Sequence, residues 1–240
     1  MQLSKGFFDL NLQFAQRIAQ VTGRPFADCL LDYTHLYPRF GLGRGFDPNN
    51  PVWQAYWQGL QQAEDGGAWT YAFYRQRMTE APPSAPAPAF GCFSYAVWSD
   101  NRIRLHFHNA DASEDGPLSR LRFGTRLDEL RVMFAHIRQT VIAPGNVVGG
   151  SWLYNLEAYR RLFPPAFIAT AHVEQDLEAQ FIALWGQFVD RHGAIKADLA
   201  SRFLRCLQNS TKLEDMLHCF PYRVLRLEAP IRYFYEFYTV

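Results

Sequence analysis

FGCFSYAVWSDNRIRLHFHNAD (residues 90–111) and NVVGGSWLYNLEAYRRLFPPAFIATAHVE (residues 146–174) frame the region whose order of elements sets the architecture. In the first segment, Ser99-Asp100-Asn101 separates two aromatic, apolar runs, the signature of a β-hairpin turn. Its second strand sends Ile103, Leu105 and Phe107 one way and Arg104, His106 and His108 the other. An acidic loop from Asp111 to Gly116 follows. Thr125 with Asp128 resembles a capping box, and Leu127, Leu130, Phe134, Ile137 and Val141 form one apolar stripe of a helix. In the second segment Asn146 to Val148 is expected to be a short strand that turns at Gly149-Gly150-Ser151. A helix carrying Leu153, Leu156, Tyr159 and Leu162 comes next and ends at Pro164-Pro165. Phe167 to Val173 reads as a further strand. Strands and helices in this order predict an α+β fold with a mixed sheet.

Outward from this core, residues 1–80 read as a helical N-terminal region. Phe7, Leu10, Phe14, Ile18 and Val21 recur at helical spacing, with Gly23 and Pro25 as the stop. A second helix is expected from Pro25 through Tyr37. Asn50 reads as an N-cap and Pro51 as the first residue of a helix whose face carries Trp53, Tyr56, Trp57 and Leu60. Trp69 to Met78 fits either strand or helix. The proline-rich stretch 81–89 reads as a linker or loop, and 90–240 as the α+β core with a helical C-terminal part. Within that part, Tyr222 to Leu227 reads as a strand ahead of the aromatic tail IRYFYEFYTV.

Composition limits the function. The 240 residues are 48% hydrophobic and 20% charged, with a net charge of +1. That describes a folded protein without the basic footprint nucleic acid requires. No apolar run is long enough to span a membrane. Cys29, Cys92, Cys206 and Cys219 form no paired spacing, and read as reduced thiols of a cytoplasmic protein. Aromatic residues at 16% of the chain suit a large core or a ring-lined cavity for a small-molecule substrate.

Several residue groups carry possible chemistry. His106 and His108, at i and i+2 on one strand face, could converge on a substrate as general acid or base, or with a third ligand on a metal ion. Gly149-Gly150-Ser151 could hold an oxyanion on backbone amides and the Ser151 hydroxyl, or Ser151 could be an N-cap. Tyr154 and Tyr159, on one helix, could return a proton to a leaving group, although aromatic residues at helical spacing commonly belong to a core. Asn109 and Trp152 flank these residues as substrate contacts. GLGRG (residues 41–45), flanked by Arg39, could cradle phosphate. It lacks the dinucleotide and Walker spacings and reads otherwise as a flexible turn.

LHFHNADASEDGPLS followed by GGSWLYNLEAYRRLFPP resembles the second half of a GNAT-fold acyltransferase, over about a third of the chain. In that fold two antiparallel strands lead to a central helix, then a strand, a helix and another strand. The resemblance implies acyl transfer to a small amine or hydroxyl acceptor, with coenzyme A as a possible acyl donor. Arg120 and Arg122, or Arg126, would hold its pyrophosphate. The family's Gln or Arg followed by spaced glycines is absent here, and Asp111, Glu114 and Asp115 occupy that connection, where they would repel a diphosphate. A non-catalytic small-molecule or partner-binding protein on the same fold is the alternative reading. A metal-dependent hydrolase using the two histidines is a third.

Overall fold

The computed structural model describes residues 2–80, 89–111 and 115–240. The chain divides into two compact units, one built from residues 1–84 and 176–222 and the other from 85–175 and 223–240. Residues 176–222, expected within a core beginning at 90, thus fold with the N-terminal helices. Nearly all of the expected linker at 81–89 lies outside the described residues; Ala89 opens the first strand.

The helical unit contains α1 (Lys5–Thr22), α2 (Phe26–Tyr33), α3 (Leu36–Arg39), α4 (Pro51–Gln62), α5 (Gly66–Glu80), α9 (Leu177–Leu184), α10 (Ala197–Asn209) and α11 (Leu213–Leu217). The expected stripe of α1 is buried at Phe7, Leu10, Phe14 and Ile18, and Gly23 ends the helix with φ of 70°. The single helix expected from Pro25 to Tyr37 is instead two. At Thr34 the side-chain hydroxyl donates to Leu30 O at 2.5 Å and accepts from Leu36 N, so a side chain replaces the backbone ladder. Trp69 to Met78, ambiguous by pattern, is helical within α5. Trp185 anchors this unit's core, ringed by Phe7, Phe14, Phe188, Phe203 and Phe220.

Asn50 caps α4 as expected, its Oδ1 accepting from Val52 N at 3.0 Å and Trp53 N at 3.4 Å. Asn50→Ala should therefore destabilise this unit by about 1 kcal/mol, measurable by urea unfolding, while Asn50→Asp should be nearly neutral.

Two cysteines depart from the expected reduced state. Cys206 in α10 and Cys219 just beyond α11 form a disulfide, because the two helices fold back until the Cα atoms are 5.5 Å apart. Their separation of 13 residues gave no local sign of this. Cys29 and Cys92 are free and buried.

Among the described residues the sheet unit holds six strands: β1 (Ala89–Phe90), β2 (Phe93–Val97), β3 (Ile103–Phe107), β4 (Asn146–Ser151), β5 (His172–Val173) and β6 (Leu225–Pro230). Their spatial order is β1-β2-β3-β4-β6-β5. The hairpin forms as expected, pairing Phe93 with Phe107 through to Val97 with Ile103. Every neighbouring pair is antiparallel except β3 and β4, which run parallel and are joined through α6 (Phe123–Thr140). This is a mixed α+β sheet with flanking helices. Leu130, Phe134 and Ile137 of α6 are buried as the stripe predicts. The aromatic tail forms α12 (Arg232–Tyr238), and Phe134 stacks on Phe234 and Tyr238 at 4.8 and 5.1 Å between ring centroids.

Four local expectations fail here. A 3-10 turn at Arg120–Arg122 leads directly into α6, so Thr125 is already helical and caps nothing. The helix expected from Leu153 to Leu162 is a 3-10 turn (Trp152–Asn155) followed by α7 (Glu157–Arg160). Phe167 lies not in a strand but in α8 (Pro165–Ile168), where Pro165 at the first turn favours a helical start and Phe167 is fully buried. The strand expected at Tyr222 to Leu227 begins and ends three residues later, where Leu227 and Ala229 face the core. Among the described residues no helix is long and apolar enough to cross a membrane.

Candidate functional site

Parallel strands β3 and β4 pair only at Ile103 with Val147 and Arg104 with Val148. Beyond these, β4 continues to pair with β6 through Ser151. Past these pairs, side chains press on β4 at Gly149 and Gly150. On one face Arg104 donates from Nη2 to Gly150 O at 3.0 Å. On the other, Tyr154 folds back beneath Gly149. The glycines are therefore strand residues that admit close neighbours, rather than a turn. A Cβ on Gly149 would lie 2.4 Å from the Tyr154 hydroxyl, and one on Gly150 2.6 Å from the Arg104 guanidinium.

Tyr154 and Tyr159 are buried, with ring centres 5.0 Å apart. Burial pushes both hydroxyls well above the ordinary phenol range, against a smaller opposing pull from the Arg104 charge. Both rings thus stay protonated at any working pH. Phe107 closes the group against Tyr159 at 5.5 Å. Gly149→Ala should cost about 1–3 kcal/mol, because the phenol is held in a packed core and cannot move aside. Gly150→Ala should cost less, since the Arg104 side chain is flexible. Parallel urea unfolding of the two variants checks the order.

Other expected site residues are arranged differently. Ser151 caps the 3-10 turn, its hydroxyl accepting from Leu153 N at 3.1 Å, and Gly149, Gly150 and Ser151 all lie in the β4–β6 ladder. That placement removes the proposed oxyanion turn and makes Ser151 an N-cap. β3 ends at Phe107, so His108 lies beyond the strand, exposed, with its amide donating to Cys92 O at 2.9 Å. His106 remains in β3 opposite Ser94, and alternation puts it on the face that carries Arg104. Asn109 and Trp152 are half-buried, and Asn155 donates to Trp152 O at 2.7 Å. Arg120 is exposed, while Arg122 is held by Asp111 at 3.3 Å. No group of three His, Cys, Asp or Glu side chains able to hold a metal ion occurs among the described residues.

A second polar cluster lies beside the start of α6. Arg126, only 3% exposed, pairs with Asp111 at 2.8 Å and with Glu129 at 3.2 Å, and also donates to the Cys92 sulfur. Glu129 in turn accepts from Cys92 N at 3.0 Å. The apolar stripe beginning at Leu127 gives no sign that Arg126 and Glu129 are drawn together beside it. The spacing of Arg126 and Glu129 at i and i+3 is the one local clue. Arg104 carries no signal as a site residue in the sequence, although it alternates with His106 on the strand, whereas Tyr159 is a candidate there beside Tyr154. No protein-family model matches the chain, and neither does any curated protein or solved structure with which it was compared.

Proposed function

We propose that the sheet unit is an acyltransferase acting on a small amine or hydroxyl acceptor, on a GNAT-like sheet. The observation that carries this reading is the Tyr154 hydroxyl, fixed against Gly149 where the parallel strands β3 and β4 separate. Ligands of open sheets favour the carboxyl ends of parallel strands at such a break. The order of two antiparallel strands, α6, β4, short helices and β5 is the one the resemblance predicts. In the proposed step the acceptor nitrogen or oxygen attacks the acyl carbonyl of a thioester. The new N–C or O–C bond forms as the C–S bond breaks. The acceptor proton passes to solvent, and the Tyr154 hydroxyl, kept protonated by burial, donates a hydrogen bond to the departing thiolate, while His106 lies on the opposite face and outside this step.

The test is transfer from acetyl-CoA to a panel of small amines and alcohols, with binding followed by calorimetry. Tyr154→Phe should lower turnover by roughly a hundredfold or more while acetyl-CoA affinity stays within a few-fold. If no thioester binds or is consumed, acyl transfer is ruled out. One observation favours the alternative of a binding protein without turnover: Tyr154 is only 3% and Tyr159 2% exposed, so neither hydroxyl is presented to solvent. Binding of a thioester with no consumption, unchanged in Tyr154→Phe, would establish that reading instead.

A further inference from the structure

The glycine-rich segment 41–45 belongs to the helical unit and takes no part in the proposed acyl transfer. It is anchored at both ends. Gly41 N donates to Pro38 O at 3.1 Å, and Tyr37 both contacts Phe46 and accepts from Asp47 N at 3.2 Å. Between these anchors Gly41 and Gly43 hold φ of 77° and 78°, and a Cβ on Gly41, Gly43 or Gly45 would touch nothing within 4 Å. Left-handed glycines alternating with other residues turn successive amides toward one side, the backbone pattern of anion-binding nests. No hydrogen bond among the described residues engages the amides of Gly43, Arg44 or Gly45.

Among the described residues the two arginines of this region lack an ion-pair partner, since the Asp47 carboxylate turns back on its own chain, its Oδ1 accepting from Asn49 N at 2.9 Å. His35 and Arg39 lie one helical turn apart across α3, and Arg39 N donates to His35 O at 3.3 Å. Asn11 fixes His35 by accepting from its amide at 3.1 Å, while the Arg39 guanidinium rests on the Phe7 ring at 5.9 Å. Both His35 Nδ1 and Arg39 Nε are buried without a hydrogen-bond partner. Neither Arg39 nor Arg44 has an ion-pair partner among the described residues. Burial weakens the Arg39 cation. It also pushes His35 down to about 3, helped by the charges of Arg39 and Arg44. A buried cation without an anion is costly, and a ligand carrying negative charge removes that cost.

We propose that His35, Arg39, Arg44 and the loop 41–45 form a binding site for a dianionic phosphate group, either free phosphate or a small phosphate monoester. A dianion matches the two arginines, and its several oxygens match the loop amides and His35 Nδ1. The site lies outside β3 and β4 and does not depend on the acyl-transfer reading.

The full chain is melted in inorganic phosphate, in phenyl phosphate, and in acetate or chloride at equal ionic strength, with affinities from calorimetry. Phosphate or phenyl phosphate at about 100 times its Kd should raise Tm by about 5 °C, and acetate and chloride should not. Tenfold tighter binding of phenyl phosphate would assign the ester as the ligand, and equal or weaker binding would assign free phosphate. Arg44→Gln, in the exposed loop, should weaken phosphate at least tenfold without lowering the Tm of the free protein. Arg39→Met keeps a side chain over Phe7. It should melt no lower than wild type without phosphate and lose the phosphate response. Equal shifts in acetate or chloride, or wild-type phosphate affinity in both variants, would overturn the proposal.

Discussion

Glu129→Ala should destabilise the sheet unit by about 3–5 kcal/mol, far more than a surface ion pair would. Glu129 is 16% exposed and Arg126 3%, so the pair lies largely out of water. Removing the carboxylate leaves Arg126 with Asp111 alone and strips the Cys92 amide of its acceptor. Each loss leaves a desolvated donor, and it is that stranded donor rather than the lost attraction that dominates. The sign of a second substitution separates the two causes. Adding Arg126→Met to Glu129→Ala should recover part of the loss, because the buried cation left with one carboxylate in place of two is then gone. Urea unfolding of the single and double variants decides. A Glu129→Ala protein within 1 kcal/mol of wild type would show that the cluster adds little to stability.

Alkaline solution should unfold the sheet unit steeply, and through tyrosine. Tyr154, Tyr159 and Tyr238 are buried and their hydroxyls are raised above the ordinary phenol value, with burial the largest cause. Their folded pKa values exceed the unfolded one, so their contribution is complete below about pH 10 and is lost as pH rises toward the folded values. In that interval the unfolded chain releases protons that the folded one retains. Each ring then removes about 1.4 kcal/mol per pH unit, and the three together about 4. Unfolding free energy should be flat with respect to these groups from pH 8 to about pH 10 and then fall. Tyrosinate absorbance from the three should appear together with unfolding. Tyr159→Phe should make the slope shallower by about a third. Gradual ionisation of all three rings in a folded protein would contradict the burial assigned to them.

Elements governed by local chemistry were legible in the sequence. The Asn50-Pro51 cap, the α1 stripe with Gly23 and the Ser-Asp-Asn hairpin all depend on neighbours within a few residues. Gly149 and Gly150 resist such a reading. In sequence they resemble a turn, but their place in β4 depends on Tyr154 and Arg104, brought to opposite faces by the fold. Arg126 is similar: it interrupts no apolar period, yet it is buried because Asp111 and Glu129 converge on it. The Cys206–Cys219 bond required two helices to fold back on each other. Of the candidate site, Tyr154 and His106 were visible as residue types. Their setting was not, because the separation of β3 and β4 is a property of register.

The path between β5 and β6 has a consequence for protein synthesis and dissection. These strands are direct neighbours, with Glu174 N donating to Val224 O at 2.9 Å, yet the chain between them leaves to build part of the other unit. On the ribosome, the strands from β1 to β4 emerge well before β6 can complete the ladder on β4. Closing a loop of this length costs only about 1–2 kcal/mol more than closing a ten-residue one, so the delay falls on timing rather than on final stability. Since residues 174 and 224 already touch, a short turn spliced between 175 and 223 would turn the detour into an ordinary hairpin. The resulting miniature would contain the complete sheet, together with Tyr154, as one continuous gene segment. A cut placed only at 81–89 would instead leave the helical unit without α9, α10 and α11.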